Sequence, residues 1–140
     1  MDKNIAVIVA SHKEASKALL ESAEMICGKQ DNVSAVCFYE DMDNEKLIQQ
    51  MENQIKKMKY EDGLLFLTDL YGGTPFKTAF MLSQKYKNSY VVSGFNLPML
   101  LEVLLGKNMY SVEELYNKSK SSGKEGIRSY EATVFQEDDE

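Results

Sequence analysis

Two hydrophobic rhythms alternate along this chain. Residues 5–10, IAVIVA, are apolar at every position and rich in β-branched side chains, the pattern of a strand covered on both faces. From Glu14 to Ile26 the apolar residues Ala15, Ala18, Leu19, Ala23 and Ile26 recur at three- and four-residue steps, and Gly28 follows as a C-terminal cap. That pattern predicts an amphipathic helix. VSAVCFY (33–39), after the turn-like KQDN, predicts a second strand. Asp43 is placed to cap a helix whose stripe is Leu47, Ile48, Met51, Ile55 and Met58, and DGLLFLTD (62–69) predicts a third buried strand ending in a carboxylate.

The second half repeats the alternation. Thr74 followed by Pro75 predicts a helix start, a side-chain oxygen for orphan N–H groups and a proline where its missing N–H costs nothing, and the helix is expected to run through about Tyr86. SYVVSG (89–94) reads as a fourth strand and LPMLLEVLLG (97–106) as an apolar helix closed by Gly106. Ser111 and Glu114 make a capping-box pair ahead of a last helix ending near Gly123. The tail GIRSYEATVF (126–135) is a candidate for one more strand, and QEDDE for a solvated end, so that about 132–140 form a flexible acidic tail. Strands and helices alternating at this spacing predict an α/β fold, an open, mostly parallel sheet with helices on both faces. The 140 residues fit one domain, without an internal repeat or linker.

Charge removes one class of function. A formal net charge of −6 argues against a protein that coats nucleic-acid phosphates, which needs a stripe of Lys and Arg. Cys27 and Cys37 are too few and too far apart for a disulfide framework or a zinc site, and read as small buried apolar residues. The start of the chain lacks the basic region of a signal peptide, and no apolar run approaches the roughly 18 residues of a membrane span. The expected setting is a reducing cytoplasm. No metal or cofactor site is expected, and a Walker A motif is absent.

In an open parallel sheet, ligands bind beyond the carboxyl ends of the strands. Two chemically capable side chains are expected at that edge: His12, the chain's single histidine, just past the first strand, and Asp69 just past the third. A carboxylate accepting the proton of one imidazole nitrogen fixes the tautomer and leaves the other nitrogen with a lone pair. No glycine-flanked serine elbow accompanies the pair, because Ser11 next to His12 has no such turn, so the histidine itself becomes the candidate nucleophile. Gly72-Gly73 lets backbone N–H groups approach an anion, and Thr74 adds a hydroxyl and a helix start. Lys13 and Glu14 follow His12 at another expected helix N-terminus. Taken singly, each has a structural account: His12 as a loop residue, Asp69 as a turn residue, Gly72 to Pro75 as turn and cap. Their joint placement points to phosphoryl chemistry, which asks mainly for in-line positioning and electrostatic stabilisation.

VASHKEAS, then LFLTDLYGGTPF, then VSGFNLPMLLE resemble, in order, the enzyme IIA domain of the mannose class of the bacterial sugar phosphotransferase system. The resemblance spans Ile5 to at least Gly126. It implies that His12 accepts a phosphoryl group from the phosphocarrier protein HPr and passes it to enzyme IIB, ahead of the membrane components enzyme IIC and enzyme IID. It further implies that Asp69 orients His12, that Gly72, Gly73 and Thr74 lie at the phosphoryl group, and that Ser11, Lys13, Tyr71, Asn96, Pro98 and Met99 line the site. The family is a homodimer in which an antiparallel C-terminal strand crosses to the other subunit, and GIRSY is the candidate here. Two positions depart from the pattern: Lys13 stands where the family has Gly, and Tyr71 where it has Trp.

Three other readings compete. The phosphotransfer subunit of a phosphotransferase-dependent dihydroxyacetone kinase has a similar first domain, but GGTPF and NLPM favour the sugar transporter. A regulatory module using the same phosphohistidine would sit in a longer chain. A non-catalytic binder of small anions would use His12 only as a pocket residue.

Overall fold

The computed structural model describes residues 2–133. The chain runs β1 (Ile5–His12), α1 (Ala15–Cys27), β2 (Val33–Phe38), α2 (Asn44–Lys56), β3 (Gly63–Thr68), α3 (Thr74–Ser83), β4 (Ser89–Ser93), α4 (Leu97–Gly106) and α5 (Val112–Glu125). The four strands form one sheet in the order β2-β1-β3-β4, parallel throughout.

The continuous apolar runs have a direct explanation in β1 and β3. Ile5, Val7 and Val9 join Leu65 and Leu67 in one core, with α4 residues Leu100 and Val103 and α5 residues Val112 and Leu115. Ala6, Ile8 and Ala10 point the other way and join Leu64 and Phe66 with Leu47, Met51 and Ile55 of α2 and Ala79 and Leu82 of α3. Successive residues of a strand face opposite sides, so a strand between two cores must be apolar at every position.

Helix ends follow local chemistry, with some corrections. Asp43 accepts the Lys46 N–H at 2.8 Å, Gly28 closes α1 at φ 89, and Ser111 and Glu114 form both bonds of the capping box. The third helix stops at Ser83, short of Tyr86, because the last turn tightens: Gln84 and Lys85 donate to Met81 and Leu82, three residues back. Gly106 does not close α4, since Lys107 is the cap. A Cβ there would lie 2.9 Å from Tyr110 and 3.1 Å from Leu115, so this glycine admits packing. For a similar reason α5 runs through Gly123 to Glu125: a Cβ on Gly123 would meet Met99 Cε at 2.8 Å.

Over 126–133, the described part of the expected last strand, no strand is formed. Gly126 caps α5, residues 127–133 carry neither helix nor strand, and Tyr130 is 89% exposed. Among the described residues the outer edge of β4 has no strand neighbour. The rest of that stretch, and the acidic tail from residue 134 onward, lie outside the described residues.

Candidate active site

β1 and β3 are neighbours, with Ala10 opposite Thr68, so the residues just past their carboxyl ends meet. One carboxylate oxygen does most of the joining. Asp69 Oδ2 accepts the backbone N–H of His12 at 2.9 Å and lies 3.0 Å from His12 Nδ1. A carboxylate only accepts, so this contact puts the imidazole proton on Nδ1 and the lone pair on Nε2. The side chain of His12 is 44% exposed, so the ring is not sealed into the core. Asp69 Oδ1 is buried without a hydrogen-bond partner. Phe38 supports the ring from the side, edge to face, at a centroid distance of 6.1 Å.

The floor of the site is Gly73. A Cβ on it would lie 2.8 Å from His12 Cε1 and 3.5 Å from Nε2, so a glycine is what lets the imidazole settle on the start of α3. Gly73, and not Thr74, is the N-cap: Thr74 is already the first helical residue, and no side chain caps this helix. The cause is the turn before it, where the Gly73 N–H donates to Leu70 O at 3.1 Å with Gly72 at φ 81. Pro75 has no N–H, and the first-turn N–H groups of Thr74 and Phe76 have no acceptor within the helix. The α3 N-terminus, with its positive dipole end, therefore lies under the histidine.

Ser11, Lys13 and one residue the sequence did not single out, Ser16, brace the turn that carries His12. Ser11 is fully buried; its hydroxyl donates to Lys13 O at 3.0 Å and accepts the Ser16 N–H at 2.7 Å. It thereby stands in for a missing cap, because Glu14, the N-cap of α1, makes no side-chain cap bond. Ser16 donates in turn to Val36 O at 3.0 Å. Neither serine has a periodic signal, since each works through a backbone atom elsewhere in the chain. Lys13 has φ 50, its N–H donates to Phe38 O at 2.7 Å, and its ammonium pairs with Glu40 at 2.7 Å on the surface. A left-handed backbone favours glycine, and a lysine there costs about 1 kcal/mol.

Tyr71 is exposed at the rim and packs on Phe76 at 4.8 Å, which stacks on Phe80. Asn96, Pro98 and Met99 also hold α4 against α5. Asn96 caps α4 by accepting the Met99 N–H at 3.0 Å and donates to Gly123 O at 2.9 Å, while Pro98 lies against Gly126 and Met99 is buried against Gly123. Asn96 and Met99 do share with Tyr71 and Phe76 the wall of a cavity of about 380 Å³ beside β4. Among the described residues, no group of three or more His, Cys, Asp and Glu could hold a metal ion, and no helix is long and apolar enough to cross a membrane.

The family model described as PTS system fructose IIA component matches residues 6–120. The chain belongs to this EIIA family. The mannose-specific EIIAB component of Escherichia coli (strain K12) is 34% identical over 129 residues, 91% of this chain but only 40% of that relative's length. The fructose-specific EIIA component of Bacillus subtilis (strain 168) is 32% identical over 124 residues, covering 89% of this chain and 85% of the relative. Among solved structures, the phosphotransferase system component EIIA from Streptococcus agalactiae superposes with a TM-score of 0.82 at 33% identity, covering 89% of this EIIA chain and 96% of that one. EIIA chains are components of sugar phosphotransferase systems, and the all-parallel sheet described above is their fold.

Proposed function

We propose that this EIIA chain is a phosphoryl carrier in which His12 Nε2 accepts a phosphoryl group from HPr and passes it to an enzyme IIB partner. The observation that carries the reading is the pairing of His12 Nδ1 with Asp69 Oδ2 at 3.0 Å, directly above Gly73. The Nε2 lone pair attacks phosphorus and forms a new P–N bond. The P–N bond to the donor's imidazole breaks, and its electron pair returns to that ring. The Nδ1 proton stays in its bond to Asp69, whose negative charge offsets the charge that develops on the His12 ring. Oxygens of the group in flight face the free N–H groups of Thr74 and Phe76 and the positive end of α3. Transfer to enzyme IIB reverses these steps: a bond forms from phosphorus to the acceptor on enzyme IIB as the P–N bond to His12 breaks and its electron pair returns to Nε2. The phosphoryl group then passes from enzyme IIB to the sugar entering through enzyme IIC and enzyme IID.

The test is intact mass after incubation with phosphoenolpyruvate, enzyme I and HPr. One acid-labile phosphoryl group on the wild type and none on His12→Ala is the expected result. No added mass with competent donors would leave the chain an anion-binding module. The same reading puts the C-terminal segment of a second copy along the free edge of β4, and a monomeric mass by light scattering at every concentration would remove that part of it.

A further inference from the structure

The amino edge of the sheet, opposite His12, gathers charge that the phosphoryl site does not use. A concave pocket of about 530 Å³ opens there between the starts of β1 and β2, the end of α2 and the end of α4. Lys3, Lys29, Lys57, Lys59 and Lys107 line it, against only Asp2 and Asp31. Three positive charges in excess are thus concentrated at one depression of a chain whose formal net charge is −6.

Lys107 makes the pocket more than a set of surface lysines. It is 6% exposed, yet among the described residues the ion pairs belong to His12, Lys13 and Lys85, and none to Lys107. Its ammonium donates to the backbone carbonyl of Asp31, leaving further N–H donors without an acceptor. Burial pushes its pKa below the usual lysine value, with the Asp31 carboxylate only opposing that shift. A buried cation with no direct ion pair and only the nearby Asp31 carboxylate to offset its charge is costly unless something completes its shell.

The walls are set before any ligand arrives. Asn32, in the left-handed region at φ 61, accepts the Lys59 N–H at 2.9 Å and donates to Ile5 O at 2.9 Å and to Lys59 O at 2.6 Å. One side chain so ties the start of β1, the start of β2 and the 57–59 turn into a fixed rim.

We propose that this pocket binds a small soluble anion carrying two or more adjacent phosphate groups, held by Lys29, Lys57, Lys59 and Lys107. Lysines act on phosphates as point charges from several directions, which suits a ligand with distributed oxygens. The concavity favours a small molecule over a flat lipid surface, and the overall negative charge disfavours a long nucleic acid. The site is separate from His12, because β1 runs from Ile5 at this pocket to His12 at the other edge, about 23 Å at strand rise.

The experiment is an amide NMR titration of the full chain with inorganic pyrophosphate at constant ionic strength, so that general screening does not change. Saturable shifts at residues 29–32, 57–59 and 107–108 are expected. Lys59→Ser, at an exposed position whose side chain makes none of the Asn32 bonds, should weaken binding by about tenfold, and Lys107→Met by at least as much. Orthophosphate should bind more weakly than pyrophosphate. Shifts that fail to saturate, that appear only around Thr74, that survive Lys59→Ser unchanged, or that orthophosphate reproduces at the same concentration would each overturn the proposal.

Discussion

Gly63 and Gly73 stand near the two ends of the same strand and exclude a side chain for opposite reasons. Gly63 begins β3 at φ 138, and a Cβ on it would lie 2.6 Å from Val112 of α5. Gly73 follows β3 at φ −73, a backbone any residue adopts, and its obstruction is the imidazole of His12 at 2.8 Å. At the amino end a missing side chain serves packing between a strand and a helix. At the carboxyl end it serves the placement of the His12 ring. The two ends of β3 therefore differ, one closed on a helix and the other on the His12 ring that the proposed function makes the phosphoryl acceptor, and the difference is visible in what fills the space beside each glycine.

The strongest way to break that division is at the carboxyl end. Asp69→Asn keeps the shape but removes the acceptor charge beside Nδ1, and should slow phosphorylation of His12 by about a thousandfold in a quenched-flow assay, with an unchanged unfolding midpoint in urea. Gly63→Ala probes the other end. It meets both a backbone that L side chains rarely adopt and the Val112 side chain, so urea denaturation should show a loss of about 3 kcal/mol while transfer by the folded fraction stays at the wild-type rate. Gly73→Ala sharpens the comparison by reversing the pattern: about a hundredfold slower transfer from a displaced imidazole, with little loss of stability.

The smallest effect concerns Lys107. Its folded pKa is lowered by burial, so between that lowered value and the ordinary lysine value the unfolded chain holds more protons at this group than the folded chain does. Its contribution to stability should rise as pH climbs through the lowered value toward the ordinary lysine value. Urea midpoints of wild type minus Lys107→Met across that alkaline range would show the rise, and a flat difference would mean that the ammonium is fully compensated in the fold.

Much of this was legible in the sequence, for reasons that also mark the limits. IAVIVA and GLLFLT announced buried strands because they lie between two cores, and His12 and Asp69 could be paired because adjacent parallel strands present their ends together. Glycines were harder. Gly28 is a cap, whereas Gly106 and Gly123 have the same local appearance and serve contacts with Tyr110 and Met99, which no local pattern encodes. Thr74 looked like a cap because the turn at Gly72 that moves the helix start back to Gly73 is a matter of backbone angles. The brace of Ser11 and Ser16 and the lysine pocket stayed hidden for a common reason: their members are scattered along the chain, and only the folded loops assemble them.

The bonds between His12 and Asp69 join residues 57 apart in the chain, and that separation has a meaning in time. During synthesis at about 5–20 residues per second, roughly 3–11 s pass between the making of the histidine and of its carboxylate. A nascent chain in that interval carries the imidazole without a fixed tautomer, and without the glycine floor that arrives a few residues later. The paired imidazole is thus a late acquisition, completed when β3 docks beside β1, and on the proposed function an unfinished chain has no assembled site with which to draw phosphoryl groups from a donor.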